Sequence, residues 1–193
     1  MVDISTNNSV NNEDLLDRLN RHLDWIKSCD TKTSIVLAIT GIFFTIFASS
    51  PSLNTLKDIF AGIFTNINFA NLLYLIFFLI SCFICIYGVY CLIKVLIPRL
   101  EKDILNDDDL YGDSLYYFES ISKNKFIDFK NKMLNESDIT RRDDLISQIY
   151  INAYISNIKY QFYRKGITNT FLGITLILVL YIFGLILLTV GGI

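Results

Sequence analysis

The sequence predicts an all-α membrane protein: three transmembrane helices, an N-terminal amphipathic helix and a small helical cytoplasmic domain. The first observation is composition. Of 193 residues, 52% are hydrophobic and only 19% charged, too apolar for a water-soluble domain of this length. The second is how the charges partition, because three stretches carry none: 33–56 (24 residues), 59–93 (35) and 166–193 (28). A helix crossing a hydrocarbon core of ~30 Å needs about 20 apolar residues, so each stretch is long enough to span. The third is the placement of Lys and Arg. Lys27 and Lys32 precede the first stretch, Lys94, Arg99 and Lys102 follow the second, and Lys159, Arg164 and Lys165 precede the third, whereas Lys57 stands alone between spans one and two. Basic ends face the cytoplasm, so the N-terminus and the region after span two are expected inside, in a multi-pass protein of the bacterial inner membrane.

Residues 1–33 form the cytoplasmic N-terminal segment. Residues 1–12 are polar and Asn-rich and are expected to lack fixed structure. From Asn12, an N-cap candidate, Glu13 and Asp14 suit the positive end of a helix, and Leu15, Leu16, Leu19, Leu23 and Ile26 form one apolar stripe. No Gly or Pro interrupts 12–40, so this helix can run into span one (34–50) without a break. The N-terminal segment is polar and acidic and lacks the pattern of a cleaved signal peptide, which leaves span one as the expected membrane anchor. Residues 51–70 are an external segment in which Leu56, Ile59, Phe60, Ile63, Phe64 and Ile67 recur at three- and four-residue spacing. That is the pattern of an interfacial helix or a cover over the bundle, with a re-entrant helix as the alternative. Span two covers 71–97 and span three 167–190.

The intervening region, 98–166, holds most of the charge, with 11 basic and 12 acidic side chains in residues 98–165. Leu115, Tyr117, Phe118, Ile121, Phe126, Phe129 and Met133 are its expected apolar anchors. Thr140 is a candidate N-cap for a helix patterned by Leu145, Ile149, Ala153, Ile158 and Phe162. Such a short domain is expected to pack against the N-terminal helix or a second copy of the chain.

The same reading excludes several functions. A net charge of -2 argues against a nucleic-acid surface, so no nucleic-acid partner is expected. The single His, His22, leaves no triad, and no phosphate loop or metalloprotease motif is present, so no enzyme, no catalytic residue and no cofactor are expected. Cys82 and Cys85 form a C-x-x-C inside span two, where packing is favoured over metal binding. Asp107, Asp109 and Gly112 begin a calcium-loop pattern, but Tyr111 and Phe118 stand where ligands are needed. Spans without an internal charge disfavour a transporter. Thr40, Gly41, Thr45, Gly173, Thr175 and Gly184 offer positions for close helix approach, favoured over a pore lining. Arg141 and Arg142 begin a helix beside Asp143 and Asp144, ordinary helix-start residues, and the arginine pair can also hold a phosphate. Asp30 and Lys32, with Lys159 at comparable depth, are candidate juxtamembrane structural residues.

Three segments resemble the transmembrane effectors of the bacterial Pycsar anti-phage systems, which accompany a pyrimidine cyclase. They are Leu23, Asp24, Trp25 and Ile26 with Asp30, Thr31 and Lys32; Tyr117, Phe118, Glu119, Ser120 and Ile121 with Phe126 and Phe129; and Asp144, Leu145, Gln148 and Ile149 with Ile158, Lys159 and Tyr160. Glu119 departs from the glycine expected there. The resemblance implies an effector of abortive infection that responds to cyclic CMP or cyclic UMP and damages the inner membrane, by pore formation or by another disruption. Its partners would be the lipid bilayer, a cyclic pyrimidine mononucleotide and further copies in a homo-oligomer. On this reading Arg141 or Arg142 meets the phosphate and Tyr116 or Tyr117 stacks on the base. The rival readings are a membrane anchor that recruits a soluble partner through 98–165, and a small ion channel.

Overall fold

Apolar runs without helix breakers, separated by short polar turns, give the element order. The computed structural model describes residues 11–99 and 113–190, so the acidic run Asp107, Asp108, Asp109 with Gly112 and the segment 1–10 lie outside the described residues. Every regular element among the described residues is helical: α1 Asn12–Phe47, α2 Ser50–Thr65, α3 Phe69–Leu96, α4 Phe118–Lys123, α5 Phe126–Leu134 and α6 Asp138–Val190. Three of them, α1, α3 and α6, are long and apolar enough to cross a membrane.

α1 is a single helix of 36 residues, because nothing between Asn12 and Phe47 breaks the ladder. Its cap is Asn11 rather than Asn12: the Asn11 side chain accepts from the Glu13 N–H at 3.3 Å. α6 runs 53 residues without interruption. It begins earlier than expected, at Asp138, because the Ser137 hydroxyl accepts from the Thr140 N–H at 3.1 Å and occupies the capping role assigned to Thr140.

The chain divides into two units, one built from Met1–Ser28 and Arg99–Ile158, the other from Cys29–Pro98 and Lys159–Ile193. The second holds the spans, and its helices share one buried pattern. α3 buries Asn71, Tyr74, Phe78, Ser81, Cys85, Gly88, Leu92 and Val95; α6 buries Gly166, Thr170, Gly173, Ile177 and Gly184; α1 buries Cys29, Thr33, Val36 and Thr40. On α3, where Cys91 is buried as well, and on α1 the buried positions recur at three- and four-residue steps, the spacing that keeps one stripe of a helix against its partners. Where α3 and α6 meet, the stripe is interrupted by small residues. A Cβ added at Gly173 would lie 2.6 Å from the Cys85 Cα, one at Gly88 2.4 Å from the Thr170 N, and one at Gly166 2.7 Å from the Leu92 Cγ. α3 and α6 therefore touch backbone to backbone, which lipid-embedded helices need when burying apolar area gains nothing.

Three hydroxyls of this stripe are satisfied locally, whereas the Thr170 Oγ1, buried against Gly88, has no hydrogen-bond partner. Thr33, Thr40 and Ser81 each donate to the carbonyl four residues back, at 2.8, 2.8 and 2.7 Å. Tyr74 donates across helices to the Leu180 carbonyl at 2.9 Å, in the room left by Gly184. Gly41 has nothing within 4 Å, and Thr45 and Thr175 are exposed, so these three small positions do not serve helix approach within the chain.

Within the segment 51–70, α2 packs side-on. Ile59 and Ile63 are buried with Tyr74 against Leu180, and Leu56 and Phe60 join Phe43 and Phe47 around Phe78 and Ile177. From Cys85 toward Tyr74, the neighbour of α3 thus changes from α1 to α2. The charge-free part of α1 ends at Phe47, about 22 Å from Thr33, short of a full hydrocarbon core, and α2 packs against the remaining part of α3.

In the first unit, Leu15 and Leu19 of α1 pack on Leu145 and Ile149 of α6. The N-terminal helix is thus the partner of the domain after span two. Several expected anchors stay outside this core: Phe118, Phe126 and Met133 are 67%, 76% and 55% exposed, and α5 buries no residue. α5 is joined to α4 by two residues and to α6 by three, and polar ties hold it. Lys132 pairs with Asp113 and donates to the Oδ1 of the Asn124 side chain.

Candidate functional site

Polar groups in the first unit converge on the start of α6. Asp144 sits beside Leu145 on the packed side of the helix and is 1% exposed. Its Oδ2 accepts from the Leu115 N–H at 2.7 Å, while its Oδ1 has no hydrogen-bond partner. One turn on, Gln148 is 3% exposed with an unpartnered Nε2. Ser114 is fully buried, and its hydroxyl accepts from the Tyr116 N–H at 3.1 Å. An open acceptor, an open donor and a buried hydroxyl thus share one small region, where each unsatisfied group costs about 1–3 kcal/mol.

Burial raises the Asp144 carboxyl above its ordinary pKa. Hydrogen bonds from Ser114 and Leu115 oppose the shift, and the carboxylates of Glu136 and Asp113 add to it. Tyr116 is raised too, first by burial and then by Glu136.

The four candidate nucleotide-sensing residues divide. Arg141 stands one turn before Asp144, and its Nε donates to the largely buried Glu136 carboxylate at 2.9 Å. Tyr116 feels the charges of Glu136, Arg141 and Asp144, which places it in the same cluster. Arg142 has a buried Nε without a partner. Tyr117 turns elsewhere, its hydroxyl donating to Glu119 at 3.3 Å and its ring lying 4.9 Å from that of Phe118. Asp144 and Gln148 are the residues that sequence reasoning placed only in structural roles. The available signal was their spacing, since Asp144 and Gln148 stand four apart, each just ahead of an apolar position, Leu145 and Ile149.

Of the juxtamembrane residues, Asp30 and Lys159 meet in the second unit at 2.6 Å, with the Lys159 side chain 6% exposed and that of Asp30 35%. Lys32 is exposed and stands outside this pair. Among the described residues, no group of three or more His, Cys, Asp and Glu could hold a metal ion, and all four cysteines are free.

Comparison with known proteins gives this arrangement a context. The profile of the Pycsar effector protein domain matches residues 14–188, which takes in α1 to α6 almost whole. The Pycsar effector protein GmPycTM of Gulbenkiania mobilis is 31% identical over 163 residues, 80% of this chain and 83% of that protein. No solved structure matches. With three helices able to span and a match across nearly the entire chain, the protein belongs to the Pycsar effector family, the multi-pass membrane effectors of bacterial anti-phage defence.

Proposed function

We propose that this effector is a non-enzymatic protein that recognises a cyclic pyrimidine nucleotide, cyclic CMP or cyclic UMP, in its first unit and answers by making the inner membrane leak. The observation that carries the reading is the cluster at the start of α6. A cyclic nucleotide presents one anionic phosphate and a base edge of donors and acceptors. Arg141 and Arg142 supply cations for the phosphate, Tyr116 supplies a face for stacking, and Asp144 Oδ1 and Gln148 Nε2 supply an acceptor and a donor without partners. Arg141 is held by Glu136, so an incoming phosphate replaces one anion by another and frees that carboxylate.

The spans are poor hosts for the messenger, because a charged phosphate entering uncharged helices meets a large desolvation cost. On this reading the basic span ends and the first unit are cytoplasmic, where the messenger is made. α1 and α6 each contribute to both units as unbroken helices, which gives a binding event a mechanical route to the spans.

Leakage requires more than one copy. Among the described residues the α3–α6 seam is filled by direct contact, so on this reading several copies line the water path, with hydroxyl-bearing residues such as Thr45 and Thr175. Exposed Phe126, Ile127, Leu134 and Ile139 in the first unit supply apolar surface for association. The same surface also suits recruitment of a soluble protein, the second reading.

Calorimetry on the detergent-solubilised full chain tests the sensing step. Heat with cyclic CMP or cyclic UMP and none with cyclic AMP is expected. Absence of heat with all three, at concentrations that trigger leakage in cells, would mean that another protein reads the messenger.

A further inference from the structure

We infer that α6 carries, on the side away from its packed seam, a site for the phosphate of an anionic phospholipid. An open groove of about 420 Å³ is lined by Gln161, Arg164, Lys165, Thr168 and Asn169. These residues follow i, i+3, i+4, i+7 and i+8, one face of the helix, and Gly166, Thr170 and Gly173 occupy the opposite face against α3. The groove therefore looks outward from the spans.

Its depth is fixed by a contact inside the same unit. Leu92 lies against Gly166, so the last charge-free turn of α3 (59–93) and the first of α6 (166–193) stand at one level. At that level Lys94 lies 5.5 Å over the half-exposed Tyr90 ring, the aromatic and cationic pairing of a headgroup boundary. Arg164 and Lys165 sit there too, and neither has an ion-pair partner among the described residues. Two unmatched cations at the edge of hydrocarbon are costly unless they reach phosphate. Arg164 can grip two phosphate oxygens at once, Lys165 adds a point charge, and neutral polar side chains complete the lining.

Charge selects the occupant. A zwitterionic headgroup would bring its own ammonium toward Arg164 and Lys165, whereas phosphatidylglycerol brings only the phosphate charge. A soluble phosphate has the same anionic group but lacks acyl chains to hold it at this depth.

Native mass spectrometry of the full chain, titrated with phosphatidylglycerol, phosphatidylcholine of the same acyl chains, or inorganic phosphate, tests the site. The wild type should retain phosphatidylglycerol about tenfold better than phosphatidylcholine, and the double variant Arg164→Gln, Lys165→Gln should lose that preference, two cations near a lipid surface being worth roughly 20-fold. Lys165→Arg and Lys94→Gln should keep it. Equal retention of both lipids by the wild type, an unchanged preference in the double variant, or displacement by inorganic phosphate would each overturn the assignment. Should the double variant not fold, a photoactivatable phosphatidylglycerol on the wild type decides: cross-links within 161–169 support the site, and cross-links confined elsewhere refute it.

Discussion

Along α6, the residues from Gly166 onward and those before Ile158 meet their neighbours differently. In the spanning unit the buried positions mix Gly, Thr, Ser and Cys with larger apolar residues, and Thr33, Thr40 and Ser81 close their hydrogen bonds on their own helices, with the Thr170 hydroxyl the exception. In the first unit a core of Leu15, Leu19 and Leu145 stands beside polar atoms that close on nothing, Asp144 Oδ1, Gln148 Nε2 and Arg142 Nε. The comparison separates helices held by close backbone approach from a small core in which two charged side chains and an amide keep open polar atoms.

The largest expected effect falls in the seam. Gly173→Leu forces α3 and α6 apart where they touch through Cys85, and is expected to destabilise the protein by about 3 kcal/mol, read as loss of folded protein in detergent melts. Retention of wild-type stability would mean that the two helices separate at no cost. Leu145→Ala acts on the other unit, removing the centre of a small core, with an expected cost of ~2–4 kcal/mol in chemical unfolding.

Asp30→Ala comes next. It strands the nearly buried Lys159 ammonium, whereas Lys159→Met leaves a carboxylate that water reaches. Asp30→Ala should therefore cost about 2 kcal/mol and Lys159→Met clearly less, a difference that parallel melts will show. Equal costs, or none, would make the pair a solvated end.

The smallest effect is in pH dependence. A carboxyl raised by burial binds its proton more tightly in the folded state, so Asp144 contributes no penalty below its unfolded pKa, and stability falls as pH rises from there through the raised folded pKa. Asp144→Asn should remove that falling component from the melting temperature measured across the acidic range.

How much of this was legible follows from the same contrast. Charge-free length and basic ends mark the three spans, and those signals depend only on what hydrocarbon excludes. The seam escapes hydropathy, because its Gly88, Thr170, Gly173 and Cys85 are no more apolar than the lipid-facing Phe83, Ile86 and Val179, and only spacing distinguishes them. Gly173 and Gly184 were visible as small residues, while Gly41 looked alike and meets nothing. In the first unit, apolar identity misled: Phe118, Phe126 and Met133 read as anchors but lie exposed on short helices. Asp144 reads as an ordinary helix-start acid when Thr140 is taken as the cap. With the start moved to Asp138, Asp144 falls in the second turn, beside Leu145 and facing the core.

The central claim is that the first unit senses and the spans respond. Dye release from proteoliposomes holding the purified full chain, with cyclic CMP or cyclic UMP added on the side that exposes the first unit, tests it most directly. Release on either cyclic pyrimidine nucleotide, absent with cyclic AMP and lost in Asp144→Ala protein that still melts as wild type, is the predicted result. No release with any nucleotide, or equal release with all three, would contradict it.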